Sequence, residues 1–116
     1  MKRIYNKPNS KKNIDALVAD LKIEVEYLGH IKTILGNKRE EEVEIKHDSS
    51  VADLLNMLSD RYGDPFKKAV YEAGGADVKA NFMATVNGYL LNQLNGVRTK
   101  LKQGDRIILM PVVSGG

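Results

Sequence analysis

A chain of 116 residues, 42% hydrophobic and 28% charged, has room for one domain with one core, and no apolar run in it approaches the ~20 residues that cross a bilayer. Cysteine is absent, which excludes a disulfide scaffold, an iron–sulfur cluster, a cysteine-based zinc site and a thiol nucleophile. The net charge of +3 sits in residues 1–20, where Lys2, Arg3, Lys7, Lys11 and Lys12 meet only Asp15 and Asp20, and the remainder carries 13 charges of each sign.

Residues 1–20 therefore read as a basic N-terminal extension, either without fixed structure or a short helix along Ile14, Leu17, Val18 and Leu21. Tyr5 is the one aromatic residue there, so the aromatic interleaving of a nucleic-acid surface is missing, and no direct nucleic-acid partner is expected. Asp15 and Asp20 interrupt the apolar stretch, which makes it a poor secretory signal. A cytoplasmic protein without a membrane partner is expected.

Beyond the extension, Leu21, Ile23, Val25 and Tyr27 alternate with Lys22, Glu24 and Glu26, the period of a strand with one apolar face. Ile31, Ile34 and Leu35 have the spacing of one short helical turn, followed by Gly36-Asn37. Val43 and Ile45 among Glu42, Glu44 and Lys46 give a second strand, antiparallel to the first, and Glu40-Glu41-Glu42 read as a solvated run at its start. Ser50 and Asp53 then have the spacing of a helix start, and Val51, Leu54, Leu55 and Leu58 line one side of the helix. Gly63 ends it, and Asp64-Pro65 reads as the cap and first-turn proline of a second helical segment. Phe66, Ala69, Val70 and Ala73 continue that segment to a stop at Gly74-Gly75.

Phe82, Ala84 and Val86 predict a third strand ended by the turn Asn87-Gly88, and residues 89–103 read as a long irregular connection. After a turn at Gly104-Asp105, the run from Ile107 to Met110 is apolar on both faces and predicts a central strand, stopped by Pro111. One core satisfies all these faces if the last strand lies beside the first and a helix crosses over them. That is an α+β roll of the β-grasp kind.

Familiar catalytic constellations are missing. His30 and His47 are isolated in sequence and read as surface or turn residues, with no set of three or four converging metal ligands. The chain instead leaves its most apolar strand, passes Pro111 and runs into Gly115-Gly116. Six residues from Pro111 span roughly 20 Å when extended, and two glycines enter a narrow slot without hindrance. Such a tail suits delivery of its own carboxylate into a partner's active site; on spacing alone it is equally an inert end.

The order Gly104-Asp105, Ile107 to Met110, Pro111 and Gly115-Gly116 resembles the ending of the ubiquitin-like sulfur carriers, the MoaD/ThiS-like family. The likeness is strongest to the molybdopterin synthase small subunit type. The stretches Val25 to Gly36, Ser50 to Leu55 and Thr85 to Gly88 resemble that family's first strand, main helix and third strand. The resemblance implies a β-grasp domain over 21–116, with a mixed sheet of four to five strands and one or two helices on one face.

It also implies that Gly116 is adenylated and then thiocarboxylated, with Gly115 supplying tail flexibility. A ubiquitin-activating-enzyme-like adenylyltransferase (MoeB/ThiF-like) would use ATP and Mg²⁺, while the carrier itself holds no permanent cofactor and no metal. A sulfur donor and a molybdopterin synthase large subunit (MoaE-like) complete the implied partners. Met110, Pro111, Val112, Val113 and Ser114 are the expected docking and tail-positioning residues. The chain is then a non-catalytic sulfur-carrier subunit rather than an enzyme. The alternatives are a related carrier for tRNA thiolation or lysine conjugation, and a β-grasp interaction module with an inert tail.

Overall fold

Strand β1 (Leu21–Tyr27) buries Leu21, Ile23, Val25 and Tyr27 and turns Lys22, Glu24 and Glu26 to the other side, as its period of two requires. In the computed structural model, which describes residues 20–75 and 77–111, it pairs antiparallel with β2 (Glu40–Ile45) and parallel with β5 (Arg106–Pro111). The sheet is completed by β3 (Phe82–Val86), antiparallel to β5, and by β4 (Tyr89–Leu90), giving the order β2-β1-β5-β3-β4. The final strand thus lies at the centre, where a segment apolar on both sides belongs.

Three helices accompany the sheet: α1 (Gly29–Ile34), α2 (Val51–Tyr62) and α3 (Asp64–Val70). Val51, Leu54, Leu55 and Leu58 of α2, with Phe66 and Val70 of α3 and Ile31 of α1, join the buried row of β1 and Ile107, Leu109, Ala84 and Val43 in a single core. The α2 start has reciprocal capping: Asp53 N donates to Ser50 Oγ at 3.2 Å and Ser50 N donates to Asp53 Oδ2 at 2.8 Å. The bond from the Ser50 backbone is also what chiefly holds the Asp53 carboxyl below its usual range.

Several details depart from the sequence expectations. The turn around Ile31 closes into a true helix, so there are three helices rather than one or two. Gly63, not Asp64, caps α3, and that helix stops at Val70, ahead of Gly74-Gly75. Tyr71 there turns extended and bridges Val78 instead, and Lys79 N donates to Val70 O at 2.8 Å. The connection over 89–103 is partly regular: Asn87 and Gly88, with φ of 52° and 89°, make the two-residue hairpin turn that returns β4 onto β3. Two short 3₁₀ turns, Leu91–Gln93 and Gly96–Arg98, follow it.

Glu41 departs furthest. It is not solvated but lies largely enclosed on the covered side, opposite Val25 in register. It accepts from the hydroxyls of Tyr27 and Tyr62, and Arg61 Nη1 approaches it at 3.1 Å.

Candidate functional site

The residues that launch the tail are held from three directions. Ile107 and Leu109 are fully buried, and the register Tyr27↔Leu109 on one side and Phe82↔Pro111 on the other keeps β5 paired to its last residue. From the third direction, α1 meets the strand end. Leu28 N donates to Leu109 O at 3.0 Å, and a Cβ at Gly29 would lie 3.6 Å from Pro111 Cδ. Gly29 has φ of 61°, a left-handed conformation that favours glycine, so this close turn beside Pro111 is fitted to the residue there. Glycine at 29 and proline at 111 have no visible relation in sequence, and only the fold shows the contact.

Met110 and Pro111, both expected to dock partners, are both half-buried but face opposite ways. Pro111 turns toward Gly29. Met110 stands on the open face of the sheet, paired with Met83 across β3. Val112, Val113, Ser114, Gly115 and Gly116, like the extension over residues 1–19, lie outside the described residues.

The open face divides into two halves. Its β5–β3–β4 half is apolar: Ile108 and Met110 lie beside Met83 and Thr85, with Leu90 paired to Thr85. A shallow hollow of about 320 Å³, lined in part by Met83, Leu90 and Leu91, extends this strip to the sheet edge. The Thr85 hydroxyl is buried there without a hydrogen-bond partner among the described residues. Met83 and Leu90 were not singled out by the sequence. Met83 is marked only by alternating with Phe82 and Ala84, Leu90 has no such signal, and membership of the strip depends on cross-strand register.

The β1–β2 half is acidic. Glu24 stands opposite Glu42 and Glu26 opposite Glu40. Arg106 Nη2 bridges Glu26 at 2.7 Å and Glu40 at 3.3 Å, and hydrogen bonds to these carboxylates push its already high pKa further up. Beneath, on the covered side, burial opposes the charge of Glu41, but the Tyr27 and Tyr62 hydroxyls with Lys38 and Arg61 outweigh it and hold the carboxyl below its usual range. Burial, then Glu41, pushes the Tyr27 hydroxyl far up.

His30 is exposed on α1 and His47 in the turn after β2. Among the described residues no group of three or more His, Asp or Glu side chains is placed to hold a metal. No described helix is long and apolar enough to cross a membrane. What the geometry of the described residues offers is a rigid strand end at Pro111 with an apolar strip beside it.

The ThiS family model matches residues 25–116. Among solved structures, the small archaeal modifier protein 1 from Methanosarcina acetivorans is similar at 26% identity and a TM-score of 0.70, over 84% of this chain and 99% of that one. The protein described as molybdopterin converting factor subunit 1 of Pyrococcus furiosus is also 26% identical, with a TM-score of 0.62 over 80% and 99% of the two chains. A chain of the Amycolatopsis orientalis BexX/CysO complex is 19% identical, with a TM-score of 0.64 over 81% and 99%, a likeness of fold alone. No curated protein matches.

Proposed function

Because the chain belongs to the ThiS family of ubiquitin-like sulfur carriers and has their β-grasp fold, we propose that Gly116 carries sulfur as a thiocarboxylate for molybdopterin synthesis. The observation that carries this reading is the strand end at Pro111, clamped by β1, β3 and α1, together with a family match that continues through Gly116. A rigid base fixes where a short tail reaches, and glycines let its tip enter a slot.

The chemistry requires help. A carboxylate ionises with a pKa of about 3.3–3.7 at a chain end and is a poor electrophile when charged. An activating partner joins it to AMP, using ATP and Mg²⁺ and releasing pyrophosphate. Sulfide-level sulfur from a donor then attacks the acyl carbon, and AMP leaves with one oxygen of the terminal carboxylate, which sulfur replaces. Without cysteine, this chain has no thiol on which to hold sulfur as a persulfide.

The chain's own residues present and dock. Ile108 and Met110, with Met83 and Leu90, offer an apolar strip next to the tail, and methionine adapts to more than one partner. Val112, Val113 and Ser114 then serve as docking and tail-positioning residues, and Gly115 supplies the tail's flexibility. The acid–base work and the pterin site belong to a larger synthase subunit, and the setting is the cytoplasm. The chain is a carrier consumed and recharged, not a catalyst.

A second reading has its own support. The likeness to small archaeal modifier protein 1 equals in identity that to molybdopterin converting factor subunit 1 and is higher in TM-score. On that reading the same activated Gly116 serves tRNA thiolation or attachment to lysines of other proteins.

One experiment separates them. The chain is tagged at its N-terminus, expressed in its native host, captured and weighed intact. A sulfur-for-oxygen exchange at Gly116 and a copurifying pterin synthase subunit are expected; a ladder of lysine conjugates would favour the second reading. Adding one residue after Gly116 abolishes the exchange, and an extended chain still charged with sulfur would overturn both readings.

A further inference from the structure

On the β1–β2 half of the open face, Glu24, Glu26, Glu40, Glu42 and Glu44 share one surface with only Lys22 and Arg106. Arg106 pairs with Glu26 and Glu40. None of the ion pairs among the described residues includes Glu24, Glu42 or Glu44. Glu24 and Glu42 are direct cross-strand partners, an arrangement in which like charges destabilise a sheet. Charge of either sign would serve to keep an edge strand such as β2 from pairing with other chains. Here every outward residue of β2 on that face is acidic, which selects a cation rather than merely deterring a strand.

The chain contains such a cation. Residues 1–13 hold Lys2, Arg3, Lys7, Lys11 and Lys12 and no acidic residue. The segment joins the domain at Leu21, the first residue of β1, one step from Lys22 and three from Glu24. Eight residues, 13–20, span up to roughly 26 Å, whereas the seven residues of β1 span about 23 Å. Lys11 and Lys12 can therefore reach any of the five glutamates, and a tethered ligand acts at an effective concentration in the millimolar range for a short flexible linker.

We infer that the basic segment of residues 1–13 docks on the acidic half of the open sheet face, with Glu24, Glu42 and Glu44 as its anchors. The contact is electrostatic, intramolecular and screened by salt. It lies beside Ile108 and Met110, so on the reading of the previous subsection the arm competes with sulfur-chemistry partners for one face. Docking itself does not depend on that reading.

The absence of cysteine makes the test clean, since Asn9→Cys creates a single position for a nitroxide label in the full chain. The label is expected to weaken the amide signals of Glu24, Glu42 and Glu44 roughly twofold or more at 0.01 M salt, where the Debye length is about 30 Å, and to release them near 1 M, where it is about 3 Å. The full chain carrying E24Q, E42Q and E44Q should lose the effect with an unfolding midpoint no lower than that of the unsubstituted chain. No broadening, broadening centred on α2 and α3, or broadening that survives the triple substitution would overturn the inference. So would broadening seen only between a labelled and an isotope-enriched molecule, which makes a second copy the occupant. Because no readout involves sulfur, failure here leaves the carrier reading untouched, and failure of that reading leaves this one standing.

Discussion

On the covered face of the sheet, Ile23, Val25, Ile107 and Leu109 lose all contact with solvent, while the residues one step along the same strands, Glu24, Glu26, Ile108 and Met110, keep part of their surface in water. The first set is chosen for volume, because each side chain fills space that its neighbours define. The second set is free of that demand and is sorted by charge instead, acidic over β1 and β2 and apolar over β5 and β3. One backbone thus serves stability on one side and recognition on the other, and β5 is the strand where both requirements are apolar.

This contrast is testable in order of size. Leu109→Ala should cost about 2–5 kcal/mol, whereas Ile108→Ala, one residue away on the open face, should cost less than half as much in the same chemical-denaturation measurement. Equal losses at both positions would mean that the open face is structural after all. Replacing Glu41 by Gln should cost about 1.5–3 kcal/mol, because two tyrosine hydroxyls and Arg61 lose a charged acceptor.

The pH dependence of that loss has a definite sign. Glu41 titrates below its ordinary value in the folded chain, so its contribution is complete above about 4.5, the unfolded value, and disappears as pH falls through the lower folded one. Tyr27 behaves inversely. Its hydroxyl is raised above 10.0, so its contribution is complete below that pH and lost above it, as the unfolded chain ionises. Denaturation midpoints should therefore show an acid limb that E41Q flattens and an alkaline limb that Tyr27→Phe flattens. The smallest effect belongs to Arg106→Gln, a slight loss that vanishes in high salt, because the pairs it breaks are exposed.

The covered face was largely legible in the sequence. Alternation gave β1 and β3, helical spacing gave α2 with its Ser50 and Asp53 cap, and a doubly apolar run gave the central position of β5. These signals are local, each within a few residues. What escaped was set by register and by distant packing. Glu40, Glu41 and Glu42 are chemically identical; alternation puts the middle one in phase with Val43 and Ile45, but its partners Tyr27, Tyr62 and Arg61 come from distant segments. Met83 joined Met110, and Gly29 met Pro111, across separations that no pattern along the chain records. In β4, two residues are too few to show a period. That the chain runs past Pro111 into Gly115-Gly116 is plain in the sequence, whereas the contact of Pro111 with Gly29 is not.

The parallel pairing of β1 with β5 also has a mechanical consequence. The chain enters at one end of this pair and leaves at the other, so tension applied between Leu21 and Pro111 slides the two strands along each other. Their cross-links must then give way together rather than unzip one at a time. A motor pulling on this molecule from both directions would meet its stiffest resistance in the strand that holds the tail.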